Sequence, residues 1–232
     1  MIYAKDEKNN IVEANMAKKG RKYYCSGCHG QVILRCGKLR VSHFAHKKHA
    51  CDIFSEGETS EHLRGKKLLM TWLRKEGKDP QIEAYLTSLH QRPDILCNNK
   101  AFEFQCSPIS VERMSERSKG YISEGYDFFW FLGKRHLIKK RLTQQIAQFI
   151  RWHKNLGFYL IYINVEQRNM EVYYHIQQAD FLPVRFYRKK VNSWKELQDF
   201  FKQNRIKNYN LLSISERKRQ KNCFYRNCRS EE

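Results

Sequence analysis

The sequence lacks any long apolar run, and that absence is the first constraint on its function. No stretch approaches the ~18 apolar residues that a membrane-spanning helix needs, so we expect no such helix. The opening residues, MIYAKDEKNN, also lack the apolar core of a secretory signal. We therefore expect a cytoplasmic protein, in which the eight cysteines are thiols or metal ligands rather than disulfides.

Acidic residues are scarce compared with basic ones. The 232 residues include 24 Asp and Glu against 44 Lys and Arg, a formal charge of +20. This excess favours a polyanionic partner, with nucleic acid first and an anionic membrane surface second. Aromatic residues reach 13%, so we expect a sizeable core rather than wholesale disorder. The chain has no internal repeats, and its length suits one main domain with a small appendage.

A Cys-x-x-Cys motif is followed by a second group of possible metal ligands. The five residues are Cys25, Cys28, His43, His46 and Cys51. A small hairpin, QVILRCGKLRVSHF, is expected between the cysteine pair and the histidines. Small ribbons supply tetrahedral zinc with two ligand pairs, and a module too small to fold unaided favours a metal. We predict structural zinc on four of the five. A redox motif, which normally opens a helix after a strand, and unliganded thiols are the alternatives.

The stretch RPDILCNNKAFEFQCSPIS, residues 92–110, predicts a β-hairpin. Its two adjacent asparagines tolerate the positive φ angles of a tight turn. Pairing outward from that turn places Asp94 opposite Glu103, roughly 4.5–5.5 Å apart at Cβ. Gln105 lies on the same face as Glu103 because side chains alternate along a strand. The other face, which we expect to be the core side, carries Ile95, Phe102 and Phe104.

Two carboxylates that face each other repel, and a divalent cation between them would remove the clash. Mg²⁺ often takes one or two protein carboxylates together with waters and substrate phosphates. The carbonyl oxygen of Phe104 could add a ligand. The alternative is a solvated hairpin whose acids point at water.

The segments around the hairpin predict an α/β domain with a mixed sheet. A capping box, Ser55-x-x-Glu58, would start a helix that ends at Gly77. The next segments are a strand in QIEAYLTSL, the hairpin, a helix in SVERMSERSKGYISEG and a buried strand in YDFFWFLG. The order is therefore helix, three strands, helix, strand.

The last third of the chain predicts three further structures. They are a helix in RLTQQIAQFIRWHKNLG, a hairpin of FYLIYINV and EVYYHI, and a helix in SWKELQDFFKQN that Ser193 caps. From Arg205 the chain is basic and polar, and we expect Cys223 and Cys228 to be plain thiols. The predicted parts are residues 1–54, 55–155 and 156–232.

Five side chains on the two helices beside the hairpin would reach the acids if those helices face them. They are Glu61, His62, Lys66, Arg113 and Arg117. Arginine forks match phosphate oxygens, so the basic members predict DNA contacts. The alternatives are ordinary ones: an acid near a helix N-terminus, a packing or capping histidine, and a solvated basic face.

Taken together, the segments YYCSGC, HFAH, SEHLRGK, RPD and EFQCS resemble the competence protein CoiA family. That family joins an N-terminal zinc-ribbon-like segment to a nuclease-like domain of the PD-(D/E)XK superfamily. The core of that superfamily is helix, three strands, helix, strand. The resemblance covers most of the chain, and it implies a role in natural transformation, where incoming single-stranded DNA is processed and recombined.

The resemblance also implies roles for individual residues. Asp94 and Glu103 would hold Mg²⁺ or Mn²⁺, Glu61 would be the acid of the first helix, and Gln105 falls where most of the superfamily has lysine. Glutamine cannot take a proton, although related restriction nucleases with Glu-x-Gln still cut. The expected function is a Mg²⁺-dependent deoxyribonuclease. A non-catalytic DNA-binding adaptor for recombination proteins, which Gln105 favours, is the rival, and an RNA-binding zinc protein is a third possibility.

Overall fold

The computed structural model describes residues 1–37, 42–47, 59–179 and 182–203. The chain divides into two compact units, Met1–Gly133 and Lys134–Glu232. Within the described ranges, no helix is long and apolar enough to cross a membrane. The predicted thiols Cys223 and Cys228 lie outside the described residues. The predicted limits of the three parts remain predictions.

An antiparallel sheet of five short strands begins the first unit. The strands are β1 (Tyr3–Lys5), β2 (Ile11–Glu13), β3 (Tyr23–Tyr24), β4 (Gln31–Arg35) and β5 (His43–His46). Their spatial order is β2-β1-β3-β4-β5. Strands β4 and β5 form the hairpin expected between the cysteines and histidines, with Leu34 opposite Phe44. Tyr23, Val32 and Phe44 belong to the small apolar core of this sheet.

The rest of the first unit follows the predicted order of helix, three strands, helix, strand. Its elements are α1 (Ser60–Lys75), β6 (Gln81–Ile82), β7 (Ile95–Cys97), β8 (Lys100–Gln105), α2 (Val111–Ser123) and β9 (Asp127–Leu132). Strands β6, β7 and β8 pair antiparallel, whereas β9 runs parallel to β8. The sheet is therefore mixed, as expected.

The strand predicted over QIEAYLTSL is wrong in extent. Only Gln81–Ile82 is a strand, and Thr87–Leu89 forms a short 3₁₀ helix. Glu83 takes a left-handed φ of 49°. Because that conformation is incompatible with a continuing strand, the alternating pattern of the segment does not become a ladder.

Helix α1 begins at Ser60, where the Thr59 hydroxyl accepts a hydrogen bond from the His62 N–H at 3.1 Å. The predicted capping pair, residues 55 and 58, lies outside the described residues. Gly65 sets how closely this helix approaches β8, because a Cβ there would overlap the ring of Phe104. Glycine at this position therefore allows the start of α1 to pack closely against the hairpin.

The hairpin has the predicted register. Ile95 pairs with Phe102, and Cys97 with Lys100. Asn98 occupies the turn with a φ of 52°, as its tolerance of the left-handed region allows. The predicted core face is buried.

The second unit contains α3 (Gln144–Ala147), β10 (Arg151–His153), β11 (Gly157–Asn164), β12 (Asn169–Gln177), β13 (Arg185–Val191) and α4 (Trp194–Lys202). Strands β11 and β12 form the predicted hairpin. Helix α4 is capped as expected, since the Ser193 Oγ accepts from the Glu196 N–H at 3.0 Å. Strand β13, which pairs with β12, was not predicted.

The helix predicted over RLTQQIAQFIRWHKNLG is wrong. Helical residues cover only Gln144–Ala147, and Arg151–His153 then form β10 against β11. Aromatic and β-branched residues in this stretch suit a strand. Pairing with β11, which no local pattern reveals, overrides the helical spacing of the apolar residues.

Candidate functional site

A cluster of cysteine and histidine side chains forms in the N-terminal sheet. The ligand atoms of Cys25, Cys28 and His46 all lie within 4.8 Å of one another, and Cys28 Sγ is 3.3 Å from His46 Nε2. The backbone N–H groups of Gly27 and Gly30 donate to the two sulfurs at 3.4 Å. The turn after Tyr24 therefore places both sulfurs beside the His46 imidazole.

This cluster could hold a metal such as zinc, which prefers thiolate and imidazole ligands. Burial, with the charges of the chain's amino terminus and Arg92, lowers the pKa of His46 and so favours the neutral imidazole that a metal needs. His43 does not join the group. It lies three residues from His46 on one strand, so the two side chains leave opposite faces. Cys51 lies outside the described residues.

The two predicted acids lie side by side in the second half of the first unit. The backbone N–H of Asp94 donates to Glu103 Oε2 at 3.4 Å, and that of Phe104 donates to Asp94 Oδ2 at 2.8 Å. Glu103 is only 1% exposed. The solvated hairpin, with both acids pointing at water, is therefore wrong.

Helix α2 supplies the partners of Glu103. The guanidinium of Arg117 and the hydroxyl of Tyr121 both donate to Glu103 Oε1. Arg117 also donates to the carbonyl oxygen of Arg92 at 3.1 Å. The predicted DNA contact Arg117 is therefore engaged in an internal ion pair.

Helix α1 supplies the partners of Asp94. His62 Nε2 lies 2.9 Å from Asp94 Oδ2, and Lys66 Nζ lies 3.7 Å from Asp94 Oδ1. Lys66 is 1% exposed and donates to Glu83 Oε1 at 2.7 Å. As placed here, Lys66 neutralises buried acids rather than facing a DNA phosphate. Protein cations thus supply charge around both acids, so their repulsion alone does not require a metal ion.

The pKa values of the two acids move in opposite directions. Burial, with a contribution from Asp94, raises the pKa of Glu103 to about 7 against the opposing charge of Arg117. Burial also acts to raise the pKa of Asp94, but the charges of His62 and Lys66 outweigh it and hold that pKa well below its usual range. Neighbouring carboxyls whose pKa values diverge are typical of functional sites.

Glu61 and Cys106 meet beside Gly133. A Cβ at Gly133 would lie 3.0 Å from Glu61 Oε1 and 2.8 Å from Cys106 Sγ. Burial, reinforced by the negative charges of Glu61 and Asp94, raises the pKa of the Cys106 thiol far above its ordinary value. The acid predicted on the first helix therefore does lie near the hairpin acids.

The two remaining predicted residues lie at either side of the start of α2. Gln105 is buried, and its Nε2 donates to the carbonyl oxygen of Ser107 at 2.7 Å. Arg113 is partly exposed and pairs with Glu116 at 2.7 Å. Of the predicted basic residues, Arg113 is the one that a bound strand could reach without disturbing the buried pairs.

Sequence reasoning missed Tyr121 and Glu83 as members of this network. Tyr121 lies four residues after Arg117, and residues at that spacing share a helix face, so a signal for it existed. No sequence signal pointed to Glu83, because its left-handed backbone conformation interrupts the predicted strand.

This unit defines a class of protein. It is a mixed α/β domain with a buried cluster of acids, preceded by a Cys-His cluster on a small sheet. Residues 58–205 match the family model described as "Competence protein CoiA, nuclease-like domain". Residues 6–54 match the model described as "Competence protein CoiA, N-terminal domain". The chain therefore belongs to the competence protein CoiA family.

A curated relative is similar to part of the chain. Competence protein CoiA from Bacillus subtilis (strain 168) is 32% identical over 146 residues. The match covers 61% of this chain and 39% of the relative, so the chain spans less than half of that relative's length. No solved structure matches.

Proposed function

We propose that the protein acts on DNA during competence as a deoxyribonuclease of the PD-(D/E)XK type that depends on a divalent metal. The observation that carries this proposal is the adjacent pair of carboxyls, Asp94 and Glu103, with diverging pKa values in a domain that matches a nuclease-like family. Burying two like charges together lowers the stability of the fold. Carboxyls whose pKa values are strongly shifted cluster at functional sites.

The donor set suits Mg²⁺ or Mn²⁺, which take carboxylate oxygens. Asp94 and Glu103 would hold the ion, which when bound would polarise the scissile phosphate and lower the pKa of a water. Gln105 would orient that water through its amide oxygen, since its Nε2 is held by the backbone. Glu61 would accept a hydrogen bond from the same water, and Arg113 would contact a flanking phosphate.

Arg117 and Lys66 would act as internal counter-ions in the absence of metal. Glu103 Oε1 can accept a metal only if Arg117 and Tyr121 release it. A guanidinium freed in this way would match a phosphate oxygen pair of the bound strand. The same residue would then balance charge before the reaction and hold DNA during it.

Cleavage assays on plasmid and on single-stranded DNA test this proposal. With Mg²⁺ or Mn²⁺ present, Asp94→Asn and Glu103→Gln should each lose about 100-fold or more in rate, the scale for removing an essential group. Glu124→Gln is the matched control, because that acid is exposed at the C-terminal end of α2. Equal rates in wild type and both site variants would reject the site.

A non-catalytic DNA-binding adaptor is the second candidate, and one observation favours it. Arg117 and Tyr121 hold Glu103 Oε1, while His62 and the Phe104 N–H hold Asp94 Oδ2, so the acids are already compensated by the protein. Such an adaptor would present single-stranded DNA to recombination proteins. DNA binding that survives chelation, with no cleavage under any metal, would select it.

We further propose a structural zinc ion on Cys25, Cys28 and His46, with a fourth ligand from outside that group, and a cytoplasmic location. The zinc-bound sheet and the basic surface would then hold DNA chiefly through its phosphates.

A further inference from the structure

The second unit exposes a pair of large aromatic side chains. Trp152 on β10 lies directly opposite Phe158 on β11, and they are 63% and 53% exposed. Directly opposed residues in an antiparallel pair have Cβ atoms roughly 4.5–5.5 Å apart, so the two rings form one surface. The other three tryptophans, Trp72, Trp130 and Trp194, are buried.

The exposure of this pair is built into a well-anchored hairpin. His153 and Tyr159 leave the opposite face, and their rings lie 5.1 Å and 5.0 Å from that of Phe201 on α4. The Asn155 side chain also donates to the carbonyl oxygen of Phe201 at 2.7 Å. One face of the hairpin is therefore fixed to α4, which holds the aromatic face outward.

A cavity of about 720 Å³ adjoins Phe158. Its lining is mainly apolar and includes Leu142, Ile150 and Ile176, with His175 as the titratable member and no carboxylate among the lining residues. The chain that leads into it is strongly basic, with three consecutive exposed cations at Lys139–Arg141. The site thus combines exposed aromatic faces, an apolar recess and positive charge.

We propose that Trp152 and Phe158 form a base-stacking site for single-stranded DNA. Unpaired bases stack on aromatic side chains while cations follow the phosphates, and this surface offers both. Duplex DNA already buries its base faces by stacking, so the site should distinguish single strands from duplex. The net charge of +20 favours this polyanion over another copy of the same basic chain.

This inference rests on the proposed function in taking DNA as the ligand, but it involves neither metal nor cleavage. Binding to an oligothymidylate without added Mg²⁺ or Mn²⁺ therefore tests it separately. Trp152→Ala and Phe158→Ala should each weaken binding about 10-fold, within the range for removing one stacking aromatic. Met16→Ala is the control, because Met16 is a 75% exposed apolar residue in the other unit. The affinity of Met16→Ala for the oligothymidylate should equal that of wild type.

Tryptophan fluorescence gives a second readout that a loss of folding would not mimic. The oligothymidylate should quench wild-type emission, and Trp152→Phe should bind with nearly wild-type affinity while losing that quenching. A Trp152 that acrylamide cannot reach in the free protein would overturn the inference, because the face would then be covered by other parts of the chain.

The possible failures can be told apart. If wild type binds no DNA, the proposed function fails. If wild type binds and Trp152→Ala binds equally well, only the stacking site fails. Self-association of wild type that Trp152→Ala abolishes, with DNA affinity unchanged, would show that a second copy occupies the surface and would also overturn the inference.

Discussion

Burial of Glu103 under α2 brings the protonation of its carboxyl into the neutral pH range. Its pKa of about 7 in the folded protein lies above the ordinary value of 4.5. Between those values the folded state retains a proton that the unfolded state has lost. The contribution of Glu103 to stability is therefore fully present below about pH 4.5 and is lost as the pH rises through 7.

Replacing Glu103 by Gln should remove this pH dependence. We expect the free energy of unfolding of Glu103→Gln to rise, relative to wild type, by about 1–3 kcal/mol between pH 5 and pH 7.5. Urea unfolding at the two pH values measures it. Glu116→Gln, which alters an exposed acid, should show no such difference. A constant gap between Glu103→Gln and wild type would contradict the raised pKa.

At the residue scale, the sequence predicted which acids meet, but it placed helix side chains beside them only on the condition that those helices face the hairpin. The register of one short hairpin placed Asp94 beside Glu103, because pairing from a tight turn is a local property. Their partners Arg117 and Lys66 come from two helices. Which face those helices turn to the sheet depends on packing that local patterns do not encode.

The contact between α1 and β8 is an element-scale feature that depends on Gly65. An alanine there would overlap the ring of Phe104, which is buried. Gly65→Ala should therefore lower the free energy of unfolding by about 1–3 kcal/mol, the usual cost of overpacking, despite the better helix propensity of alanine. Urea unfolding measures it. Gly120→Ala on α2 should cost less, because the three atoms nearest the new Cβ all belong to the flexible end of the Gln91 side chain.

The turn after β3 supports a second element-scale prediction, because it presents both sulfurs of the Cys-His cluster. Cys28→Ser should lose most of the zinc that purified wild type carries, since a hydroxyl replaces a thiolate ligand. Zinc content by mass spectrometry measures it. Cys36→Ser is the matched control, because Cys36 is an exposed thiol outside the cluster. Equal zinc in wild type and Cys28→Ser would rule out the site.

Elements bounded by clear caps and turns were predicted well, and those decided by pairing were not. Ser193 capped α4 as expected, whereas β10 formed where apolar spacing had indicated a helix. A strand of three residues gains its stability from its neighbour, and the sequence of β10 alone does not reveal that β11 lies beside it.

Across the whole molecule, the excess of positive charge governs binding to any nucleic acid. If the chain contacts six phosphates of a single strand, affinity should fall about 300-fold between 50 mM and 200 mM salt. Fluorescence anisotropy with a labelled oligonucleotide measures it. In Arg113→Gln, the slope of log affinity against log salt concentration should become shallower by about the contribution of one phosphate contact. An affinity independent of salt would argue against phosphate contacts.

The buried thiol of Cys106 can report how often the structure around the buried acids opens. Its burial next to Glu61, with a strongly raised pKa, should make it silent to alkylating reagents while the pocket is closed. The rate at which the Cys106 thiol is alkylated then measures how often the surrounding structure opens to solvent and solutes. If Arg117 must leave Glu103 before an ion can bind, a labelling rate that falls when Mg²⁺ is added would show that exposure of Cys106 and release of Glu103 are linked.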